Sequence, residues 1–311
     1  MKKYYQDINT LRGAAAIGVL CYHYFYHYFH VYDISGGVKL FAIGKYGVEL
    51  FFMISGFLIL PLISKRPSIH LFLRERFFRL YPMYFFSVIS TFLFLSLSND
   101  KARGVDFYDL IKNILIFPSL LSGKYVDGSY WTLEIEWLFY FYASLAIFFI
   151  KCKINKELMI MLSLMLFVIC QNKDLISLGG YYSYFYVGIF AYIIKTKSNC
   201  SKLMYCGLII ALAESLLYAK YPIVTSLVML LFLTVSLPEK TILPQSSLFD
   251  FLAKISYPLY LIHQNIGYVM INFIKKYMGL SFAYVLTISF VIAGAYLMSS
   301  IYENKISKYL R

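Results

Sequence analysis

Apolar runs of membrane-spanning length recur along this chain from residue 11 to residue 302. About 20 consecutive apolar residues match the roughly 30 Å hydrocarbon core of a bilayer. In that medium each segment must satisfy its own backbone N–H and C=O groups, so repeated runs dictate helices. Hydrophobic residues make up 60% of the chain and charged residues 14%, which excludes an ordinary soluble domain. The expectation is an all-α fold, a polytopic transmembrane helix bundle that forms one membrane-embedded domain over residues 1–311. About ten spans are read, at approximately 10–30, 44–64, 80–98, 130–151, 157–171, 179–195, 203–219, 221–237, 255–275 and 281–302. The first run carries Arg12 and three histidines and lacks a small-residue cleavage site, unlike a signal peptide.

Charge supplies an orientation. Lys and Arg number 29 against 16 Asp and Glu, a net +13. No basic run with interleaved aromatics lies outside the apolar segments, so nucleic acid is not expected as a partner. The positive-inside rule accounts for the excess instead. With both termini cytoplasmic, eighteen of the cations fall on the inner side and ten on the outer. Four of those ten sit in one long segment, about 99–129, which reads as a short interfacial helix plus loop covering an outward cavity. The five cysteines, Cys21, Cys152, Cys170, Cys200 and Cys206, match no disulfide or metal framework.

Ionisable residues inside such runs are costly and point to function. Arg12 and His23 share the first run. Eleven helical steps bring them to within about 20° of one face and about 16 Å apart along the axis. Glu49, Glu136 and His263 occur at matching depths in the second, fourth and ninth runs, so four titratable groups are expected to converge in the outer half of the bundle. Interhelical hydrogen bonding is the plainer role for any one of them alone. Arg76 and Arg79 lie three apart before the third run, on one face of a short helix. Guanidinium pairs suit phosphate oxygens, although from spacing alone a positive-inside cluster is the better account. His23, His27 and His30 have H-x3-H-x2-H spacing but no accompanying carboxylate, so no metal site is expected. Phosphate-binding glycine loops and nucleophile elbows are absent from the sequence.

Five blocks, taken together, resemble acyltransferase family 3, the bacterial integral-membrane O-acyltransferases. They are Leu11-Arg12-Gly13 with His23; Glu49-Leu50-Phe51-Phe52 with Ser55-Gly56-Phe57; Arg76-Phe77-Phe78-Arg79 with Tyr81-Pro82; Trp131-Thr132-Leu133 with Glu136; and Ser256-Tyr257 with Tyr260 and His263. They occur in family order along the whole chain. Asn9 stands where the family often has Asp, Thr132 where it usually has Ser, and a common Pro is missing from Gly128-Ser129-Tyr130-Trp131. The resemblance is to a stand-alone member, without the soluble hydrolase-like C-terminal domain of some relatives.

The resemblance implies transfer of an acyl group, commonly acetyl, from cytoplasmic acyl-CoA to a hydroxyl of a cell-surface carbohydrate or lipid-linked glycan. It implies a multi-pass protein of the bacterial cytoplasmic (inner) membrane, partnered by the lipid bilayer, acyl-CoA and a carbohydrate or glycolipid acceptor. No cofactor is permanently bound, since acetyl-CoA or another acyl-CoA is the donor substrate. Arg76 and Arg79 correspond to the donor-binding pair; Arg12 is read as a contact for donor phosphate or pantetheine at the inner mouth. His23 is the expected base, with Glu49 or Glu136 orienting its ring, or the imidazole itself carries the acyl group. Trp131, Thr132, Tyr257, Tyr260 and His263 complete the candidate site. A transporter or flippase for a glycan or small metabolite is the alternative, because such proteins bury the same residue types.

Overall fold

The computed structural model describes residues 4–65, 68–98, 103–151, 155–172, 180–197 and 199–302. Lys2, Lys3, Arg66, Lys101, Lys153, Lys173, Lys305, Lys308 and Arg311, used above for orientation, lie outside the described residues, as do Asp100 and Cys152. Helix α1 (Tyr4–Tyr22) runs into a π-helical turn, His23–His27, and a short α2 (Tyr28–Val31). A 3-10 segment, Lys39–Tyr46, leads into α3 (Gly47–Ser64), followed by α4 (Ile69–Ser98) and α5 (Phe107–Ile114). The rest comprises α6 (Trp131–Lys151), α7 (Lys156–Asn172), α8 (Tyr182–Thr196), α9 (Lys202–Leu217), α10 (Pro222–Ser236), α11 (Ser247–Ile262) and α12 (Asn265–Ile301). No strand occurs among the described residues, as the apolar runs require.

Among the described residues, three stretches are long and apolar enough to cross a bilayer: Lys39–Ser64, Ile69–Ser98 and Asn265–Ile301. Two more among them are shorter apolar helices, Glu157–Leu166 and Pro222–Ser236. Large apolar side chains stand exposed, including Leu97 at 83%, Ile223 at 78% and Leu217 at 76%. Apolar surface of this kind is suited to lipid.

Three boundaries differ from the sequence reading. The run read as 255–275 is two helices, broken at His263 and Gln264. Helix α12 has a second break at Gly279, whose φ of +77° ends one helix and begins another. Arg76 and Arg79 do not lie in a separate short helix, because α4 is continuous for 30 residues through both of them. Each difference has the same origin: hydropathy reports apolar length, not where hydrogen-bonded turns stop.

The chain divides into two compact units. The first comprises residues 1–15, 46–74 and 135–250. Its centre is the crossing of α3 and α8. A Cβ on Gly56 would lie 2.0 Å from the Phe185 carbonyl oxygen, and one on Gly188 would lie 2.0 Å from that of Met53. Small residues let two backbones meet this closely, the usual device where lipid supplies no hydrophobic drive. Phe185 then stacks on Phe139 at 3.9 Å between centroids. In this unit the buried Asp7 carboxylate accepts from the backbone N–H groups of Ile242 and Leu243, both at 3.1 Å, and so fixes the residues after α10.

The second unit comprises residues 16–45, 75–134 and 251–311. Here α5 is amphipathic, with Phe107, Tyr108, Ile111 and Leu115 exposed and Leu110 and Asn113 buried. Asp106 and Asp109 form a capping box at its start. Asn113 and Asp109 then hold the next loop, accepting from Val126 N at 3.1 Å and Lys124 N at 2.9 Å. The expected short helix plus loop is therefore present. Pro258 inside α11 has no N–H to give to Lys254 O, and the Ser299 hydroxyl of α12 donates there at 3.5 Å.

Candidate active site

The break between α11 and α12 organises the candidate site, which lies wholly within the second unit. An interrupted helix exposes carbonyls on one side and N–H groups on the other. Tyr130 Oη donates to Leu261 O at 3.1 Å and Tyr24 Oη to His263 O at 2.6 Å. On the other side, Asn265 N donates to the fully buried Asp127 carboxylate at 2.8 Å. Asp127 also accepts from Ser129 N at 2.9 Å and Ser129 Oγ at 2.7 Å. A carboxylate at a helix N-terminus is favourable through its hydrogen bonds and the helix dipole. The break is thus held open by groups from the π-helical turn and from the residues just before α6. Gly267 belongs to the same arrangement: a Cβ there would fall 2.0 Å from Tyr24 Oη.

His263 sits in the break, 1% exposed. Its Nδ1 lies 2.8 Å from Tyr260 O. A carbonyl only accepts, so Nδ1 carries the proton and Nε2 is left with its lone pair. That Nε2 is buried and has no hydrogen-bond partner. The ring of His23 stands 4.9 Å from the ring of His263.

His23 opens the π-helical turn, and His27 closes it. Such turns are rare and concentrate at functional sites. Both imidazoles meet one hydroxyl: Tyr268 Oη lies 3.0 Å from His23 Nδ1 and 2.8 Å from His27 Nδ1. A hydroxyl has one proton to give and two lone pairs. Arg103 completes the cluster, with its guanidinium 5.2 Å from the centre of the Tyr268 ring and within electrostatic range of both histidines. His30, expected on the same face, is instead exposed and packs against Tyr26.

The remaining expected residues distribute as follows. Thr132 Oγ1 donates to Ser129 O at 2.9 Å and lies 2.8 Å from Tyr260 Oη, so both support the loop that carries Asp127. Tyr257 Oη donates to Leu80 O at 3.0 Å. Trp131 begins α6 and is half-buried. Arg76 is buried and Arg79 half-buried in α4, and both act electrostatically on Tyr302. Arg12, Glu49 and Glu136 belong to the first unit. There, Glu136 accepts from Tyr140 Oη at 2.5 Å and Ser55 Oγ at 3.3 Å, while Glu49 lies near Tyr46, Tyr181 and Tyr184.

Among the expected titratable residues the second unit therefore brings His23 and His263 together, and adds His27, Tyr268, Asp127 and Arg103. Hydropathy gave no reason to choose Tyr268 from 31 tyrosines. Arg103 and Asp127 read as ordinary loop charges. Glu134, two residues before Glu136, is the more buried of the pair and accepts from Ser119 Oγ and from Tyr125 Oη at 2.6 Å. Burial, and then this bond to Glu134, push the Tyr125 phenol above its ordinary range. Among the described residues no cluster of histidine, cysteine and carboxylate groups is placed to hold a metal.

Comparison with known proteins adds four findings. "Putative acetyltransferase ORF330" of Acidianus two-tailed virus is 30% identical over 142 residues, 45% of this chain and 40% of that protein. "Acyltransferase MdmB" of Streptomyces mycarofaciens is 27% identical over 143 residues, 43% of this chain and 37% of that protein. The matches thus span well under half the length of these curated relatives. No solved structure matches. The profile of the acyltransferase domain known as acyltransferase family 3 matches residues 5–300. With the match running through both units and every block that bears the cluster, the chain belongs to the acyltransferase 3 family.

Proposed function

We propose that this protein is an integral-membrane O-acyltransferase that moves an acyl group, acetyl in the simplest case, from cytoplasmic acyl-CoA to a hydroxyl of a cell-surface or lipid-linked glycan. The observation that carries this reading is the pairing of His23 with His263, whose buried Nε2 keeps a lone pair in a fixed tautomer.

A thioester needs little activation by the protein. A hydroxyl needs a base and correct placement. In direct transfer, an imidazole of the pair takes the acceptor proton as the oxygen attacks the thioester carbonyl. The tetrahedral intermediate then expels the thiolate with cleavage of the C–S bond, and the imidazolium returns the proton to sulfur. In the two-step route a His23 ring nitrogen attacks the thioester carbonyl and expels the thiolate, which takes up the proton the acylated ring gives up; the acceptor oxygen then attacks the acyl-imidazole, the C–N bond breaks, and the freed imidazole takes the acceptor proton. Tyr268 orients the rings of His23 and His27 in either case. Arg76 and Arg79 bind the donor phosphates in this reading. The proposed setting is a bacterial inner membrane, crossed about ten times with both termini cytoplasmic.

Transport of a glycan or small metabolite is the second reading, and the break at His263 is the observation that favours it, because transporters bind substrate at discontinuous helices. Purified protein, labelled acetyl-CoA and candidate glycans separate the two. Label appearing on a glycan hydroxyl supports the transferase. Absence of turnover with any acyl-CoA, together with glycan uptake into vesicles, supports transport.

A further inference from the structure

Tyr268 stands one turn into α12, where its N–H donates to Gln264 O at 2.9 Å. The residue is 0% exposed, so water does not reach its hydroxyl. Among the described residues that hydroxyl has three partners: His23 Nδ1 at 3.0 Å, His27 Nδ1 at 2.8 Å and His23 O at 3.3 Å.

The protons in these contacts can be counted. A phenol gives one proton and offers two lone pairs, and a carbonyl only accepts. If the phenol proton went to either imidazole, Tyr268 Oη and His23 O would face each other at 3.3 Å with no hydrogen between them. Only one assignment makes all three contacts hydrogen bonds. The phenol proton goes to His23 O, and each imidazole gives its Nδ1–H to the phenol oxygen. The π-helical turn leaves that carbonyl able to receive it. His23 O accepts from Tyr28 N, five residues on, and keeps a second lone pair.

A neutral ring with its proton on Nδ1 carries its lone pair on Nε2. His263 reaches the same state through its own carbonyl, Tyr260 O at 2.8 Å. Three rings therefore present three Nε2 lone pairs and no Nε2 proton. His23 and His263, with rings 4.9 Å apart, hold no proton between them at rest. Of the two, His263 is 1% exposed and His23 is half-buried, so His23 is the ring that a substrate hydroxyl can reach.

We propose that Tyr268 sets the tautomers of His23 and His27, and that Nε2 of His23 is therefore the nitrogen that meets the acceptor hydroxyl. The second half rests on the acyltransferase reading, and the first half does not. In direct transfer the acceptor O–H bond breaks as the oxygen bonds to the thioester carbonyl carbon, and the proton passes to His23 Nε2. The imidazolium so formed keeps its Nδ1–H on Tyr268 Oη, so the ring need not turn before it returns the proton to sulfur. Tyr268 touches no reacting atom and acts as a positioning residue.

Nitrogen-15 NMR of labelled histidine rings, on the full chain in nanodiscs, reads the tautomers without turnover. The exposed His30 and His70 are first replaced, as His30→Gln/His70→Gln, which leaves three of the five histidines. At a pH where the rings are neutral, three Nδ1–H signals and no Nε2–H signal are expected. An Nε2–H signal overturns the proposal, and this measurement needs no change within the cluster. In Tyr268→Phe, two rings are expected to shift toward Nε2–H, the form a free imidazole prefers, while the ring held by Tyr260 O keeps Nδ1–H. Three unmoved Nδ1–H signals in that variant overturn the proposal as well. With labelled acetyl-CoA the same variant is expected to lose about tenfold in kcat at an unchanged KM for the donor. Shifted tautomers with unaltered kcat remove His23 Nε2 from the chemistry. Expected tautomers in a protein that transfers no acetyl group remove the transferase reading and leave the tautomer assignment standing. Acetyl transfer by a protein that shows an Nε2–H signal removes the assignment alone.

Discussion

The rings of His23 and His263 stand 4.9 Å apart, one from a π-helical turn near the start of the chain and the other from a helix break near its end. Neither residue occupies regular α-helix. Irregular backbone at membrane depth is tolerated only where side chains or cavities satisfy it, and here tyrosines and a carboxylate do so.

His23→Ala and His263→Ala are each expected to abolish acyl transfer, a loss of about 10²-fold or more for a positioned base. The proteins should still fold, because neither ring is the group that caps the break. Initial rates with labelled acetyl-CoA, read alongside melting temperature, give the check. Near-wild-type turnover in either variant would remove that residue from the chemistry.

Tyr268→Phe keeps the ring that contacts Tyr28 and removes the hydroxyl shared by two imidazoles. Loss of one or two net hydrogen bonds corresponds to about 1–2 kcal/mol, or roughly tenfold. The expected loss falls on kcat, with the KM for acyl-CoA unchanged, because the hydroxyl orients bases and does not hold the donor. His27→Ala should reproduce part of it. A fall in melting temperature with unaltered kcat would make Tyr268 a packing residue.

Arg76→Ala and Arg79→Ala are expected to raise the acyl-CoA requirement with little effect on the acceptor. Each charge-assisted contact contributes about 1.5–3 kcal/mol, roughly tenfold or more in affinity. Arg76 is the more buried of the two, so its variant should also lose stability. Donor titration by calorimetry tests this. Unchanged donor affinity would return both residues to membrane orientation.

Gly56→Ala and Gly188→Ala are expected to destabilise the first unit, because the added methyl meets backbone at 2.0 Å and a carbonyl has nowhere to move. Overpacking of this kind costs about 1–3 kcal/mol. Melting in detergent reads it directly. Donor affinity of whatever fraction remains folded should be unchanged.

The helical architecture was legible because hydropathy states directly which lengths of chain avoid water. His23 and His263 were legible for a related reason: an imidazole in an apolar run stands out. The break at His263–Gln264 was not, because no glycine or proline marks it and the groups that stabilise it come from distant sequence. Gly56 was legible as part of a block but not as a close approach, since proximity to Phe185 exists only after folding. Tyr268 and Arg103 were hidden by being ordinary, one tyrosine among 31 and one cation among 29. Arg76 and Arg79 were legible as a pair, whereas the continuity of α4 through them was not.

The broken helix also sets a timetable for biogenesis. Asp127 leaves the ribosome long before Asn265, whose N–H it accepts, and Tyr24 is made earlier still than the His263 carbonyl it donates to. Until α11 and α12 are made, those polar groups lack these partners, and a polar group buried unpaired costs about 1–3 kcal/mol. A chain stalled before residue 263 therefore carries Tyr24 and Asp127 without the groups that pair them in the finished fold. The site can close only once α11 and α12 have both been made.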